Sequence, residues 1–250
     1  MKVFVIIPAA GLGTRMAGAP SPGRAAKPAA ATSKQFAELG GAPIVILTLR
    51  KFAAVPQVDE IYVALRKSEI SGFRARLDKE RLRKPVHLVE GGEHRQQSVA
   101  NALEAVKAAT EDIVLVHDAV RPFVDADIIR NVIDAAARHG AAIAAVPAVD
   151  TVKQVDRTAE GAVVNTTIPR EHVVLVQTPQ GFRYHVIRDA FHEAARDGFT
   201  GTDESSLVER SGREVAVVMG SPRNLKITTP SDLELAEFYL SLETRRPLAG

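Results

Sequence analysis

The sequence predicts an α/β fold: a mostly parallel sheet with helices on both faces, and a protruding β-hairpin arm. Three observations carry this reading. Short β-branched apolar runs recur along the chain, segments with helical spacing separate them, and one polar stretch near residue 160 breaks the rhythm. Strands alternating with helices at this spacing form βαβ units, whose crossovers are right-handed. The arrangement is Rossmann-like, and the 250 residues fit one domain.

Lys2 to Pro8 is a β-branched run that reads as a strand buried on both faces. A glycine-containing loop follows, Ala9 to Met16. Pro43 to Val55 has helical spacing, with a proline suited to the first turn. Asp59 to Leu65 reads as the second strand, Arg74 to Arg83 as a short charged helix, and Val86 to Val89 as the third strand. Gly91-Gly92 turns the chain into a helix from Arg95 to Ala109. Asp112 to His117 is the fourth strand, Asp125 to His139 a helix closed by Gly140, and Ala142 to Val146 the fifth strand. Thr151 to Thr167 reads as the hairpin, turning at Glu160-Gly161. An isolated hairpin with so little apolar surface is marginal in water, so the arm is expected to pack on a second subunit as a homodimer. Ala17 to Thr32, rich in Ala, Pro and Gly, has no periodicity and reads as a mobile loop.

Composition narrows the function. Hydrophobic residues make up 46% and charged residues 25%, as in an ordinary globular protein. The chain has no cysteine, which excludes a disulfide framework, a thiolate zinc site and a cysteine nucleophile. The net charge of +2 is small and spread along the chain, so no nucleic-acid partner is indicated. The densest basic run, Arg81 to Lys84, reads as a solvated helix end. Val3 to Ile7 is too short for a secretory core or a membrane span, and so is Ala141 to Val149, which contains Pro147. No membrane partner is expected, and a cytoplasmic location is.

Ligands of such sheets bind beyond the carboxyl ends of the strands. Four segments lie there and should converge: Pro8 to Arg15, Gly91 to Ser98, Asp118 to Pro122 and Pro147 to Lys153. Small residues in the first let backbone N–H groups approach phosphates, although a plain tight turn would look the same. It is neither a P-loop nor a dinucleotide fingerprint, because the Gly-Lys-Ser/Thr and the third glycine are missing. Asp118 ends a strand where a carboxylate can hold Mg²⁺ against phosphates or cap the next segment. Arg121 reads as a substrate-facing or a surface arginine. Alone, Lys34 reads as a solvated lysine and Lys226 as an exposed strand lysine. His117 reads as a buried imidazole in preference to a metal ligand.

Gly11-Leu12-Gly13-Thr14-Arg15-Met16 with Lys34-Gln35-Phe36 resembles the signature of sugar-phosphate nucleotidyltransferases. Gly91 to Val99, Val116 to Phe123, Gln177 to Phe182 and Asn224 to Leu233 narrow the resemblance. Together they are similar to the CTP-using 2-C-methyl-D-erythritol 4-phosphate cytidylyltransferases of non-mevalonate isoprenoid synthesis. The match runs in order from Lys2 to about Leu240. It implies catalytic roles for Arg15 and Lys34, which would neutralise the α-phosphate and the departing pyrophosphate. Pro8, Ala9, Ala10, Gly11, Gly13, Gly92, Glu93, Ser98, Asp118 and Ala119 would bind the nucleotide. Arg121, Thr151, Arg170, Thr178, Thr202 and Lys226 would bind the polyol phosphate, with Arg170 coming from the partner's arm. The implied cofactor is Mg²⁺, with Asp118 as its ligand.

One departure stands out. Arg15 and Lys34 are nineteen positions apart, across an Ala/Pro-rich insertion, and Ser33 replaces the family's proline. Lys27-Pro28 inside the insertion is a decoy, because only Lys34 precedes Gln35-Phe36. The insertion is expected to form a flap over the triphosphate. Three rival readings are a ribitol-5-phosphate cytidylyltransferase, a non-catalytic nucleotide-binding module and an NAD-dependent dehydrogenase. The first shares most motifs. The second has no need of Arg15, Lys34, Asp118 and Lys226 together, and the third lacks its final glycine.

Overall fold

The computed structural model describes residues 1–11 and 33–245. In chain order its strands are β1 (Val3–Pro8), β2 (Glu38–Leu39), β3 (Ala42–Pro43), β4 (Glu60–Leu65), β5 (Val86–Glu90) and β6 (Ile113–Val116). These are followed by β7 (Ala141–Pro147), β8 (Val152–Thr158), β9 (Gly161–Ile168), β10 (Val174–Arg183) and β11 (Ala216–Met219). The helices are α1 (Ile44–Ala53), α2 (Lys67–Leu77), α3 (Arg95–Ala105), α4 (Ala126–His139), α5 (Tyr184–Arg196), α6 (Glu204–Arg210) and α7 (Pro230–Arg245). The central sheet has the order β11-β7-β10-β6-β1-β4-β5. Only β10 runs antiparallel to its neighbours.

Alternation along the strands splits the core in two. Val3, Val5 and Ile7 of β1 face one cluster, and Phe4 and Ile6 face the other. In β6 the split is Ile113 and Leu115 against Val114 and Val116. Side chains of successive strand residues point to opposite faces, so a strand covered on both sides must be apolar throughout. Helices α1, α2 and α4 cover the first face, and α3, α5 and α6 the second. Each fully buried aliphatic side chain stabilises the fold by about 1.5–3 kcal/mol. A third cluster docks α7 through Ala236 on Leu39, Ile44, Val120, Phe123 and Ile227.

Most expected elements appear within a few residues of their predicted bounds. Gly140 closes α4 at φ 87°, a left-handed position that suits glycine. Two elements differ. The charged helix is α2, about seven residues earlier than Arg74 to Arg83, and Arg81 to Lys84 lie in the loop before β5. Its start has no sequence signal because Arg66, at the N-cap, makes no capping hydrogen bond. Helix α3 stops at Ala105 because Asp112 organises the next turn, accepting from the N–H groups of Ala109 at 2.8 Å and Lys2 at 2.7 Å. The arm is β8 paired with β9, bulged between Gln154 and Val155, and it leaves Val155, Val163 and Val164 exposed. Beyond the arm the sequence suggested only a strand at Lys226, and β10, β11, α5, α6 and α7 are the elements found there.

Candidate active site

Two adjoining pockets open at the carboxyl ends of β1, β5 and β6. The first, about 240 Å³, is lined by Pro8 at the end of β1, by Ala9, Ala10 and Gly11 after it, and by Lys34 and Gln35. Gly92 to Arg95, Ser98, Asp118 to Val120 and Lys226 complete it. The second, about 230 Å³, is lined by Arg121, Val176 to Thr178, Gln180, Thr202 and Asp203. Three residues line both: Arg95, Asp118 and Lys226. A larger cavity of about 450 Å³ between α3 and α5 contains none of these three.

The shared wall is a row of charges. Arg95 Nε lies 3.3 Å from one oxygen of Asp118. Lys226 Nζ, at 2.9 Å, and Arg121 Nε, at 3.2 Å, meet the other. Behind Arg95, both oxygens of Glu204 lie 2.7 and 2.9 Å from its Nη1. Burial opposes the charge on Asp118, but Arg95, Lys226 and Arg121 together outweigh it and hold the carboxyl well below the usual carboxylate range. At Glu204 burial prevails over Arg95 and pushes the carboxyl up.

A chain of hydrogen bonds fixes the end of β6. The Asp118 N–H donates to Thr178 Oγ1 at 3.0 Å, which lies 3.0 Å from His117 Nδ1. His117 Nε2 is 3.1 Å from the carbonyl of Arg121. A carbonyl only accepts, so Nε2 carries the proton and Nδ1 accepts from the threonine hydroxyl. Burial pushes His117 down to about 4, and the ring is neutral near neutral pH. This is the buried imidazole the sequence suggested.

The first pocket is shaped by residues that touch its walls from behind. Ser98 Oγ accepts from the N–H of Gly92 at 3.1 Å and donates to the carbonyl of His94 at 3.0 Å. Arg66 donates to the carbonyls of Ala10 and Gly11 at 2.9 and 3.0 Å, and to Ser33 Oγ at 2.9 Å. Ser33 in turn donates to Glu69 at 2.9 Å. One guanidinium therefore ties both described flanks of the insertion, and Lys34 lines the pocket in spite of it. Gly13, Arg15 and the expected flap at 17–32 lie outside the described residues.

Pro8, Ala9, Ala10, Gly11, Lys34, Gly92, Glu93, Ser98, Asp118 and Ala119 thus line the first pocket. Arg121, Thr178, Thr202 and Lys226 line the second. Lys226 lies on a loop, not a strand, and is ion-paired. Thr151 and Arg170 stand apart on the arm, where Arg170 donates to the carbonyl of Val149 at 2.7 Å. The expected convergence of Pro147 to Lys153 is corrected: this segment lines neither pocket. Antiparallel β10 stands between β6 and β7 and moves the end of β7 one strand outward. Residues of β10 itself, Val176 to Thr178 and Gln180, and the Thr202-Asp203 segment before α6 take its place.

Sequence reasoning gave no role to Arg95, Glu204, Gln180, Asn224 or Arg66. Asn224 accepts from Arg121 Nη1 at 2.7 Å and donates to the carbonyl of Thr178 at 2.8 Å. The one usable signal was Asp203 three residues before Ser206, a capping box that marks the start of α6.

The resemblance implies a divalent cation at Asp118. Both oxygens of that carboxylate are occupied by cationic side chains, and a metal there would stand against three positive charges. Among the described residues no three His, Asp or Glu side chains gather as a metal site. In this arrangement Asp118 does not fit a magnesium ligand.

The family model described as 2-C-methyl-D-erythritol 4-phosphate cytidylyltransferase matches residues 3–242. A curated relative of that name from Acidobacterium capsulatum is 55% identical over 98% of this chain and 100% of its own length. Another from Solibacter usitatus is 52% identical over 98% of both. Among solved structures, 4-diphosphocytidyl-2C-methyl-D-erythritol synthase from Anaerococcus prevotii superposes with a TM-score of 0.79 at 31% identity, covering 96% of this chain and 98% of that one. The Thermus thermophilus 2-C-methyl-D-erythritol 4-phosphate cytidylyltransferase gives 0.74 at 34%, covering 96% and 100%. With its fold, its paired pockets and these matches in agreement, the chain belongs to the 2-C-methyl-D-erythritol 4-phosphate cytidylyltransferase family of nucleotidyltransferases.

Proposed function

We propose that this chain transfers the cytidylyl group of CTP to the phosphate of 2-C-methyl-D-erythritol 4-phosphate, at the wall between its two pockets. The observation that carries this is the sharing of Arg95, Asp118 and Lys226 by a glycine- and alanine-walled pocket and a polar one. The first takes the nucleotide, with small residues letting the backbone approach it. The second takes the acceptor phosphate beside Arg121 and Lys226.

An acceptor phosphate oxygen attacks the α-phosphorus and forms the new P–O bond. The bond from that phosphorus to the bridging oxygen breaks, and pyrophosphate leaves with the electron pair. The nucleophile is already an anion, so no side chain need accept a proton. Catalysis then consists of positioning and charge stabilisation. Lys34 and Arg15 neutralise the triphosphate, while Lys226 and Arg121 hold the acceptor. A divalent cation bound with CTP would neutralise phosphate charge, and Asp118, already enclosed by Arg95, Arg121 and Lys226, would not be its ligand.

The acceptor site is completed in a homodimer. Thr151 and Arg170 flank the two arm strands, which form a sheet of their own and leave Val155, Val163 and Val164 exposed. That arm reaches the partner's second pocket. A monomer by light scattering, well above working concentration, would overturn the dimer. The absence of cysteine and the charged phosphate substrates support work in the cytoplasm, and no described helix is long and apolar enough to cross a membrane.

The test is pyrophosphate release with CTP and Mg²⁺, offering methylerythritol 4-phosphate or ribitol 5-phosphate. Release with the first and little with the second is expected. Release with ribitol 5-phosphate alone would move the protein to another pathway.

A further inference from the structure

The proposed reaction leaves Glu204 without a task, yet several interactions fix its place. It lies in the first turn of α6 and is 1% exposed. Gln180 of β10 grips that turn from both sides, donating to Asp203 Oδ2 at 2.7 Å and accepting from the N–H of Ser205 at 3.0 Å. Asp203 and Ser206 close a capping box around it. A carboxylate out of water is tolerated only when well paired, and here both oxygens converge on one nitrogen of Arg95.

Arg95 comes from the first turn of α3, on the far side of the pocket from β10. It spans from Glu204 at its Nη1 to Asp118 at its Nε. An arginine held at its tip has lost its rotamer freedom before substrate arrives. Asp118, fixed by Arg95 from one side, gathers Lys226 and Arg121 on the other. Like-charged side chains would otherwise spread apart. The row Glu204, Arg95, Asp118, Lys226 therefore keeps the cations converged on the wall where the phosphates meet.

We propose that Glu204 is a positioning residue for the transfer: it clamps Arg95 in the wall common to both pockets and, through Arg95 and Asp118, aims Lys226 and Arg121 at the reacting phosphates. The inference rests on the function proposed above.

Glu204→Gln keeps the volume but removes the charge and sets an amide donor against the guanidinium. It is compared with Arg95→Lys and with the double variant, measuring kcat, the KM of each substrate and the melting temperature. The expected result for Glu204→Gln is a fall in kcat on the order of 10- to 100-fold, with the KM for CTP within about 3-fold and the fold intact. A purely structural residue would lower the melting temperature and leave kcat of the folded fraction alone. Arg95→Lys should fall by a similar factor, and the double variant no further than the larger single effect, because the two act as one unit. Unchanged kcat in folded Glu204→Gln, or losses that multiply in the double variant, would overturn the proposal. Should the glutamine variant fail to fold, Glu204→Asp retracts the carboxylate without removing charge, and full kcat there would overturn it equally. The Arg95 side-chain N–H signal in NMR separates this proposal from the reaction itself. Whether or not the chain releases pyrophosphate, a slow-exchanging signal lost in Glu204→Gln supports the clamp, and one unchanged by the substitution refutes it.

Discussion

A methyl group at Gly91 should distort the first pocket, where the proposed function places CTP. A Cβ built there stands 2.6 Å from the Cβ of Ala10, 3.0 Å from Ser98 Oγ and 3.5 Å from the carbonyl of Leu65. Carbon atoms rest at about 3.5–4.0 Å, so Gly91→Ala must drive the two walls apart by about 1 Å. Neither wall yields easily. The Gly91 N–H donates to Leu65 at 2.7 Å, and Arg66 holds the Ala10 carbonyl at 2.9 Å. Overpacking of this kind costs about 1–3 kcal/mol. That corresponds to a fall in melting temperature of roughly 2–12 °C for a chain of this size. The larger effect falls on function, since a displacement near 1 Å at a binding site weakens it on the order of 10- to 100-fold. Calorimetric titration with CTP, alongside thermal melting, reads both. Ala10→Gly in the same chain removes the opposing methyl and should restore much of the affinity. At Gly92 the three nearest atoms to an added methyl, at 2.2–2.5 Å, all belong to the exposed Gln97 side chain, which can swing out by giving up its bond from the Glu93 N–H, so Gly92→Ala should be milder. Wild-type CTP affinity in Gly91→Ala, or no recovery in the double variant, would refute this account of the walls.

Three further outcomes follow from the same geometry. Lys34→Ala should lower kcat by about 10²–10³-fold in the pyrophosphate-release assay, as removal of one stabilising charge or donor commonly does, with the melting temperature unchanged. Asp118→Asn should leave Lys226 and Arg121 without their counter-charge and Arg95 with Glu204 alone; denaturant titration should show a loss of about 3–5 kcal/mol, as when a buried ion pair is broken from one side. Acid should weaken the fold through His117. Its folded value, about 4, lies below the ordinary imidazole value, so its neutral form's contribution is complete above about pH 6.5 and is lost as pH falls toward 4. The wild type should lose about 2 kcal/mol more than His117→Gln between pH 7 and pH 5, measured by denaturant titration. Glu204, whose shift is of opposite sign, acts equally in both proteins and drops out of the difference.

Up to the arm, the long strands and most helices were legible because periodicity is local. Val3 to Ile7 is apolar at every position, and only a strand covered on both faces needs that. The gathering of the first pocket was legible too, because its walls are short contiguous segments at strand ends, from Pro8 to Gly11 and from Gly92 to Ser98. Helix α2 was misplaced because Arg66, at its cap, is instead a tether for Ala10, Gly11 and Ser33. That function depends on residues 33 to 56 positions away and leaves no local mark. Tertiary structure alone decided the insertion of β10 between β6 and β7, and with it which segments reach the second pocket. It also decided that Asp118 is enclosed by Arg95, Arg121 and Lys226, and that Glu204 stands behind Arg95 across 109 positions of sequence. The sequence determines which residues can carry charge and where chains must be apolar. Only the packed fold decides which charges meet, because ion pairing depends on distance in space and on the exclusion of water.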